Sequence, residues 1–170
     1  MKIYDCFQFF DENMILDLRL NVLNDFVSKF IIVESKYLHS GIEKKPVFDI
    51  KNFSKFKDKI IYILVDKMPE GLNDINESSK DDKKSNKIID NALKFEINQR
   101  NAISKGLSDA EENDLIMVSD VDEIPNLKDT DLRGISKKII QFKQKMYYYK
   151  FNLRYTNKSW FGSRACVKKY

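Results

Sequence analysis

Near-continuous apolar runs that end beside an acidic residue recur along the chain. They cover residues 30–33 before Glu34, residues 60–65 before Asp66, and residues 115–119 before Asp120. Runs of this kind are typical of central strands that are buried on both faces of a parallel sheet. A further strand, rich in aromatic and β-branched residues, is predicted over residues 2–10.

Helical periodicity separates some of these strands. Apolar side chains recur every three to four residues at Leu16, Leu20, Leu23 and Val27. This spacing predicts an amphipathic helix, with Asp11 as the residue that caps its N-terminus. A second helix is predicted over residues 87–105, ended by Gly106, and the polar stretch of residues 73–87 before it is predicted to be a loop.

The alternation of strands and helices predicts an α/β fold with a central, mostly parallel sheet flanked by helices. Residues 138–155 have no helical periodicity and many aromatic side chains, so they are predicted to form paired antiparallel strands. Ligands of parallel sheets bind beyond the carboxyl ends of the strands, where Glu34, Asp66 and Asp120 fall. At 170 residues the chain is expected to form a single domain over residues 1–170.

Charge is unevenly distributed along the chain. Residues 132–170 contain eleven Lys and Arg and no Asp or Glu, whereas residues 1–131 carry a net charge of −7. A basic surface suits partners that carry phosphate, namely a nucleotide diphosphate, a nucleic acid or anionic lipid headgroups. A solvated sheet face would have the same composition. We expect a peripheral membrane contact as one role for this segment, and no nucleic acid partner.

The apolar runs are too short to cross a bilayer, and the first residues have no signal-peptide core. The two cysteines, Cys6 and Cys166, form neither a disulfide framework nor a metal-binding spacing. These features predict a cytoplasmic protein.

The segment Asp120-Val121-Asp122 carries the most chemical information. Two carboxylates at i and i+2 after a buried strand can converge if the chain turns there. Oxygen ligands suit Mg²⁺ or Mn²⁺, shared with a substrate diphosphate whose charge the metal would neutralise. A calcium loop of the EF-hand type is excluded because Ile124 and Pro125 occupy its fifth and sixth positions. Several interpretations of this segment stay open. It could belong to a sugar transferase, a metal-dependent phosphohydrolase, a nucleotidyltransferase or a non-catalytic basic module that binds anions, or it could be a plain acidic turn.

An ordered set of segments resembles glycosyltransferase family 17, the β-1,4-mannosyl-glycoprotein N-acetylglucosaminyltransferases. The matching segments are residues 4–10, 17–23, 30–35, 39–41, 99–101, 114–125 and the stretch ending at 160–162. The resemblance implies a GT-A-type fold that binds a nucleotide sugar, a UDP-sugar donor and a divalent metal. It also implies inverting transfer of a sugar such as N-acetylglucosamine to a glycan acceptor. Members of the family tend to be longer than this chain.

The resemblance also implies roles for individual residues. Asp120 and Asp122 would hold the metal and the diphosphate, and Glu34 would lie near the nucleotide. Arg100 would face the donor, although an ion pair with Glu96 four residues earlier fits its position nearly as well. Trp160 would stack on a sugar ring, and a buried structural role is equally compatible with the sequence. For the single histidine, His39, a contact with donor or acceptor and a structural or solvated role stay open, and the absence of a partner at ligand spacing favours the second.

The general base is the least defined part of the expected site. Inverting transfer needs a carboxylate that deprotonates the acceptor hydroxyl, yet no acidic residue follows Asp131. Glu123, another upstream acid or a residue outside this chain would then supply the base, unless the protein is a reduced form of the family. Glu123 has an alternative role, in which its carboxylate binds a backbone amide and holds the loop. Some of Arg154, Lys158 and Arg164 are expected on the same side of the sheet as Asp120.

Overall fold

The computed structural model describes residues 1–75, 81–132, 139–150 and 152–170. In these ranges the strands are β1 (Ile3–Phe9), β2 (Lys29–Ser35), β3 (Ile60–Val65), β4 (Leu115–Ser119), β5 (Ile140–Tyr147) and β6 (Arg154–Val167). The α-helices are α1 (Asn13–Leu23) and α2 (Asp81–Asn101), and shorter 3₁₀ helices cover Ile50–Phe56 and Ala102–Gly106.

The described strands form one sheet in the order β3-β2-β1-β4-β6-β5. Strands β3, β2, β1 and β4 are parallel to one another, β6 runs antiparallel to β4, and β5 runs antiparallel to β6. The predicted α/β class and central, mostly parallel sheet are therefore confirmed, as is the antiparallel pair predicted near residues 138–155. Details specific to a GT-A fold stay a prediction.

Side-chain alternation along β1 assigns the two faces of the sheet. Phe7 and Phe9 pack with Leu16 and Leu20 of α1 on one face. Tyr4 and Cys6 pack with Ala102 and Ile103 on the other. Because successive side chains of a strand point to opposite faces, Asp5 points toward α1. An acidic side chain is thereby placed inside the core that α1 covers.

Two local predictions are wrong. The first is the loop at residues 73–87, because α2 begins at Asp81; residues 76–80 lie outside the described part of the chain. The first turns of α2 are solvated, so their polar composition concealed a helix. The second is the Asp11 cap. Glu12 is the N-cap, and its carboxylate accepts from the Phe10 and Asp11 amides rather than from the helix.

The second helical segment does end at Gly106, as predicted. A side chain there would be crowded, since a Cβ atom would lie 2.9 Å from Cγ2 of Ile31 in β2. None of the described helices has the length and apolar character needed to cross a bilayer. The cytoplasmic location stays a prediction.

Candidate active site

A cavity of about 860 Å³ opens at the carboxyl ends of β1, β2 and β4. This volume lies within the range of small-molecule sites. Its wall comes from the end of β1, the segment after β2, helix α2, the turn after β4 and the β5–β6 connection. The lining residues include Gln8, Phe10, Tyr37, His39, Lys44, Gln99, Arg100, Asp120, Asp122, Tyr147 and Tyr149. The cavity is thus where the fold class predicts a ligand.

Asp120 and Asp122 both lie on the wall of this large cavity. The side chain of Asp120 is 56% exposed, and its Oδ1 lies 3.2 Å from Nη2 of Arg100. The carboxylate of Asp122 is exposed and makes no hydrogen bond or ion pair with the described residues. One carboxylate is therefore oriented by a cation, and the other is free to accept a ligand.

Arg100 joins three acceptors at the rim of the cavity. Its Nη2 donates to Oε1 of Gln8 at 2.9 Å, to Oε1 of Glu96 at 3.1 Å and to Oδ1 of Asp120 at 3.2 Å. The ion pair with Glu96 is therefore confirmed, and Arg100 also lines the cavity, while its contact with the donor stays a prediction. Its side chain stays 38% exposed, which leaves donors for an anionic ligand.

The residues present fit a divalent cation that is shared with a diphosphate. Within the described ranges no three His, Cys, Asp or Glu side chains form a group able to hold a metal ion. Mg²⁺ is commonly bound by one or two carboxylates, with substrate phosphates and waters completing its shell. Asp120 and Asp122 provide that donor set, since both face the cavity and Asp122 is uncommitted.

Arg19 holds the backbone of the turn at residues 120–123, here called the Asp120 loop. Its Nη1 donates to the carbonyl oxygens of Asp120 at 3.0 Å, Val121 at 3.1 Å and Glu123 at 2.9 Å. The rest of the guanidinium binds Asp5, with Nε 2.8 Å from Oδ2 and Nη2 2.6 Å from Oδ1. Both side chains are fully buried. Three carbonyls of the loop thus converge on one buried cation.

Two charged residues in the sequence indicate this arrangement, although hydrophobic periodicity alone does not reveal it. Asp5 is the one charged residue of β1, and Arg19 lies within the apolar stripe of α1, between Leu16 and Leu23. Charged residues are rarely buried unless they are paired. Two opposite charges at core positions of adjacent elements therefore indicate a buried ion pair.

The carboxylate of Glu123 also supports the Asp120 loop. Its Oε2 accepts from the backbone amide of Asp120 at 3.0 Å, and its Oε1 accepts from Nε1 of Trp160 at 2.8 Å. Gly162 allows this contact, because a Cβ atom there would lie 2.2 Å from Oε1 of Glu123. These contacts match the alternative in which Glu123 holds the loop. A catalytic role for Glu123 stays a prediction.

Ser163 links the same loop to β6. Its hydroxyl donates to the carbonyl oxygen of Glu123 at 2.9 Å and lies 2.8 Å from the hydroxyl of Ser119, the last residue of β4. Ser163 is fully buried. The turn after β4 is therefore fixed from α1 on one side and from β6 on the other.

A smaller cavity of about 380 Å³ lies next to the first. Its lining is formed by Arg100, Val118, Ser119, Asp120, Glu123, Trp160, Phe161, Gly162 and Arg164. Arg164 thus shares a cavity with Asp120, which confirms the prediction that some basic residues of β6 lie on its side. Arg133, Lys137 and Lys138 of the basic segment fall outside the described residues. Membrane contact through this segment stays a prediction.

Glu34 is fully buried and does not line the large cavity. Its buried carboxylate accepts from Lys44 Nζ at 2.5 Å, the Val47 and Phe48 amides at 2.8 and 3.1 Å, and the Tyr62 hydroxyl at 2.9 Å. Lys44 does line the cavity. A contribution of Glu34 to nucleotide binding would therefore act through Lys44, a residue that pattern analysis did not single out. Burial, followed by the bond to Glu34, raises the pKa of Tyr62.

The comparison with protein families decides the assignment. A sequence model of glycosyltransferase family 17 matches residues 1–170. The chain belongs to glycosyltransferase family 17. Membership makes it a transferase and in general implies a nucleotide-sugar donor and a glycan acceptor. Comparisons with curated proteins and with solved structures gave no significant match.

In this family 17 chain, the two cavities bring together most of the residues expected to form the site. Asp120, Asp122 and Arg100 line the large cavity, and Trp160 and Glu123 line the small one with Asp120 and Arg100. His39 is exposed and also lines the large cavity. Asp66 is exposed at the end of β3 and lines neither cavity.

Proposed function

We propose that this chain transfers a sugar from a UDP-sugar to a glycan acceptor, with inversion and with a divalent cation, Mn²⁺ or Mg²⁺. The observation that carries the proposal is the Asp120–Asp122 pair on a cavity of about 860 Å³ at the carboxyl ends of parallel strands. Family membership favours this reaction over the phosphohydrolase, nucleotidyltransferase and non-catalytic alternatives. N-acetylglucosamine as the sugar and a GT-A-type fold belong to the same proposal.

The large cavity is the proposed donor site. Asp120 and Asp122 would hold the cation, which supplies Lewis-acid stabilisation of the leaving diphosphate when it is bound. Arg100 lies 3.2 Å from Asp120 and lines the cavity, so its guanidinium can donate to the same phosphates. Lys44, oriented by Glu34, adds a second positive charge to the wall. Positive charge would thus surround the position where negative charge develops.

Arg19 and Glu123 would keep this arrangement preorganised. Arg19 donates hydrogen bonds to three carbonyl oxygens of the loop, and the carboxylate of Glu123 accepts one from the backbone amide of Asp120. A fixed loop places both carboxylates before the substrate arrives, so no reorganisation accompanies the reaction. The proposed role of Glu123 is to position the loop, because both of its oxygens already accept hydrogen bonds, and the general base is its alternative role.

The direct test is a thermal-shift panel of UDP, UDP-sugars and GDP-sugars, each with Mn²⁺ and with a chelator. A ligand that binds only the folded state raises the melting temperature by mass action. We expect UDP and at least one UDP-sugar to raise it only in the presence of the metal. Equal shifts with the chelator would contradict the role of the cation, and no shift with any nucleotide diphosphate would contradict the donor class.

A further inference from the structure

We infer that the smaller cavity is the acceptor site and that it takes a sugar bearing an acidic group, a carboxylate or a phosphate. This inference rests on the proposed function, because it requires the large cavity to hold the donor. Arg100 and Asp120 line both cavities, so the two sites meet at this ion pair. An acceptor in the small cavity would therefore lie next to Asp120 and Asp122, the proposed metal ligands, where its hydroxyl can meet the donor sugar.

The indole of Trp160 in the small cavity suits a sugar ring. Trp160 is 42% exposed, although it is a large apolar residue. The indole of Trp160 is held in place, because its Nε1 donates to Oε1 of Glu123 at 2.8 Å. A fixed and half-exposed aromatic surface offers a platform for the C–H face of a sugar at low entropic cost.

The charges of the small cavity identify the chemical class of the acceptor. Asp120 pairs with Arg100, and both oxygens of Glu123 accept hydrogen bonds. Arg164 also lines this cavity, and its guanidinium makes no hydrogen bond or ion pair with any residue that the structure describes. A free guanidinium presents a planar pair of donors that matches a carboxylate or a phosphate.

The backbone fixes where this cation lies. Arg164 pairs with Val118 of β4, two residues before Asp120. Arg164 lines the small cavity and not the large one, whereas Arg100 and Lys44 line the large one. Arg100 and Lys44 are therefore available to bind the donor phosphates, and Arg164 is available to bind an acidic group of the acceptor.

Trp160 provides the probe, because it is the only tryptophan of the chain. Its fluorescence would be followed during titration with methyl β-glucuronide, glucose 6-phosphate and neutral methyl β-glucoside. Since a hydrogen bond to a charged group changes affinity by about tenfold or more, at least one acidic sugar should bind about tenfold more tightly than the neutral one. Comparing the two acidic probes separates a carboxylate from a phosphate.

Arg164→Gln should remove the preference for acidic sugars, and Arg154→Gln, an exposed change elsewhere on β6, should keep it. The inference is overturned if the three sugars titrate alike, if none gives a saturable change, or if Arg164→Gln keeps the preference. Calorimetry with UDP and Mn²⁺ on Arg164→Gln should give wild-type affinity. A loss there would reassign Arg164 to the donor and overturn the inference. Binding of acidic sugars by a wild-type protein that binds no UDP would contradict the proposed function and, with it, the acceptor role, while the preference of the small cavity for acidic sugars would stand.

Discussion

Arg19 and Asp5 form an ion pair without solvent exposure, in which Nη2 lies 2.6 Å from Oδ1 and Nε lies 2.8 Å from Oδ2. The pair joins α1 to β1, and the remaining Nη1 of Arg19 binds three carbonyl oxygens of the Asp120 loop. A buried ion pair is weak evidence for stability, because desolvation offsets much of the attraction. Its position suggests that it serves the geometry of the loop.

Arg19→Met is predicted to lower both stability and donor binding. The change leaves the carboxylate of Asp5 buried without its cation, which costs about 3–5 kcal/mol. It also leaves three loop carbonyls without their donor. Urea unfolding should show the loss of stability, and calorimetry with UDP and Mn²⁺ should show the loss of binding.

The double variant Asp5→Leu/Arg19→Met separates the two effects. Replacing both charges by apolar side chains of similar size should restore much of the stability, because no buried charge is left unpaired. Donor binding should stay impaired, since the loop carbonyls still lack Arg19. Recovery of metal-dependent UDP binding together with stability would show that Arg19 does not position the loop.

Glu123→Gln is predicted to weaken donor binding as well as transfer. A glutamine has one acceptor oxygen, so it cannot accept from both the Asp120 amide and Trp160 Nε1 as Glu123 does. Gly162→Ala should have a similar effect, because its Cβ atom would collide with Glu123. The measurements are UDP affinity and the rate at saturating donor. Turnover reduced about a hundredfold or more with unchanged donor affinity would instead identify Glu123 as the base.

Gly71→Ala is the control for the glycine change. Gly71 has a φ of 70°, so alanine is strained there, but no atom lies within 4 Å of an added Cβ. This variant should lose stability without losing UDP affinity. Equal losses of affinity in the two alanine variants would indicate general destabilisation.

The pH dependence of stability should report the contact between Tyr62 and Glu34. Burial and the hydrogen bond to Glu34 raise the pKa of Tyr62 in the folded state. The contribution of the Tyr62 hydroxyl to the free energy of unfolding is therefore fully present below its unfolded pKa of about 10. It is lost as the pH rises through the pKa of Tyr62 in the folded state. Tyr62→Phe should cost roughly 1 kcal/mol at pH 8 and reduce the loss of stability above pH 10. Parallel urea-unfolding curves for the two proteins across pH 8–11 would contradict this.

The parts of the fold that local pattern determines were predictable. The apolar runs predict strands β2, which contains Glu34, and β4, which ends just before Asp120. The position of Asp120 and Asp122 directly after β4 indicates that both lie at the carboxyl end of the sheet. Contacts between distant segments were not predictable, because spacing along the chain does not encode them. Trp160 meets Glu123 across 37 positions, and Arg19 meets the Asp120 loop across more than a hundred.

Polar composition also misled at the start of α2. Residues 81–87 are all charged or polar, which favoured a loop, yet the helix they begin needs an apolar stripe only where it meets the sheet. For Arg100, the sequence indicated only one of its two acidic partners. The sequence offered Glu96 as the partner of Arg100, and the guanidinium in fact bridges Glu96 and Asp120.

Calorimetric titration of UDP into Asp122→Asn, with and without Mn²⁺, tests the central claim most directly. Asp122 is exposed, and its carboxylate makes no hydrogen bond or ion pair with the described residues, so the variant should fold as the wild type does. Asp66→Asn is the matched control, because Asp66 is also exposed beyond a strand of the sheet and lines neither cavity. We predict that Asp122→Asn loses metal-dependent UDP binding and that Asp66→Asn keeps it. Unchanged UDP affinity in Asp122→Asn would contradict a metal-assisted donor site at Asp120 and Asp122.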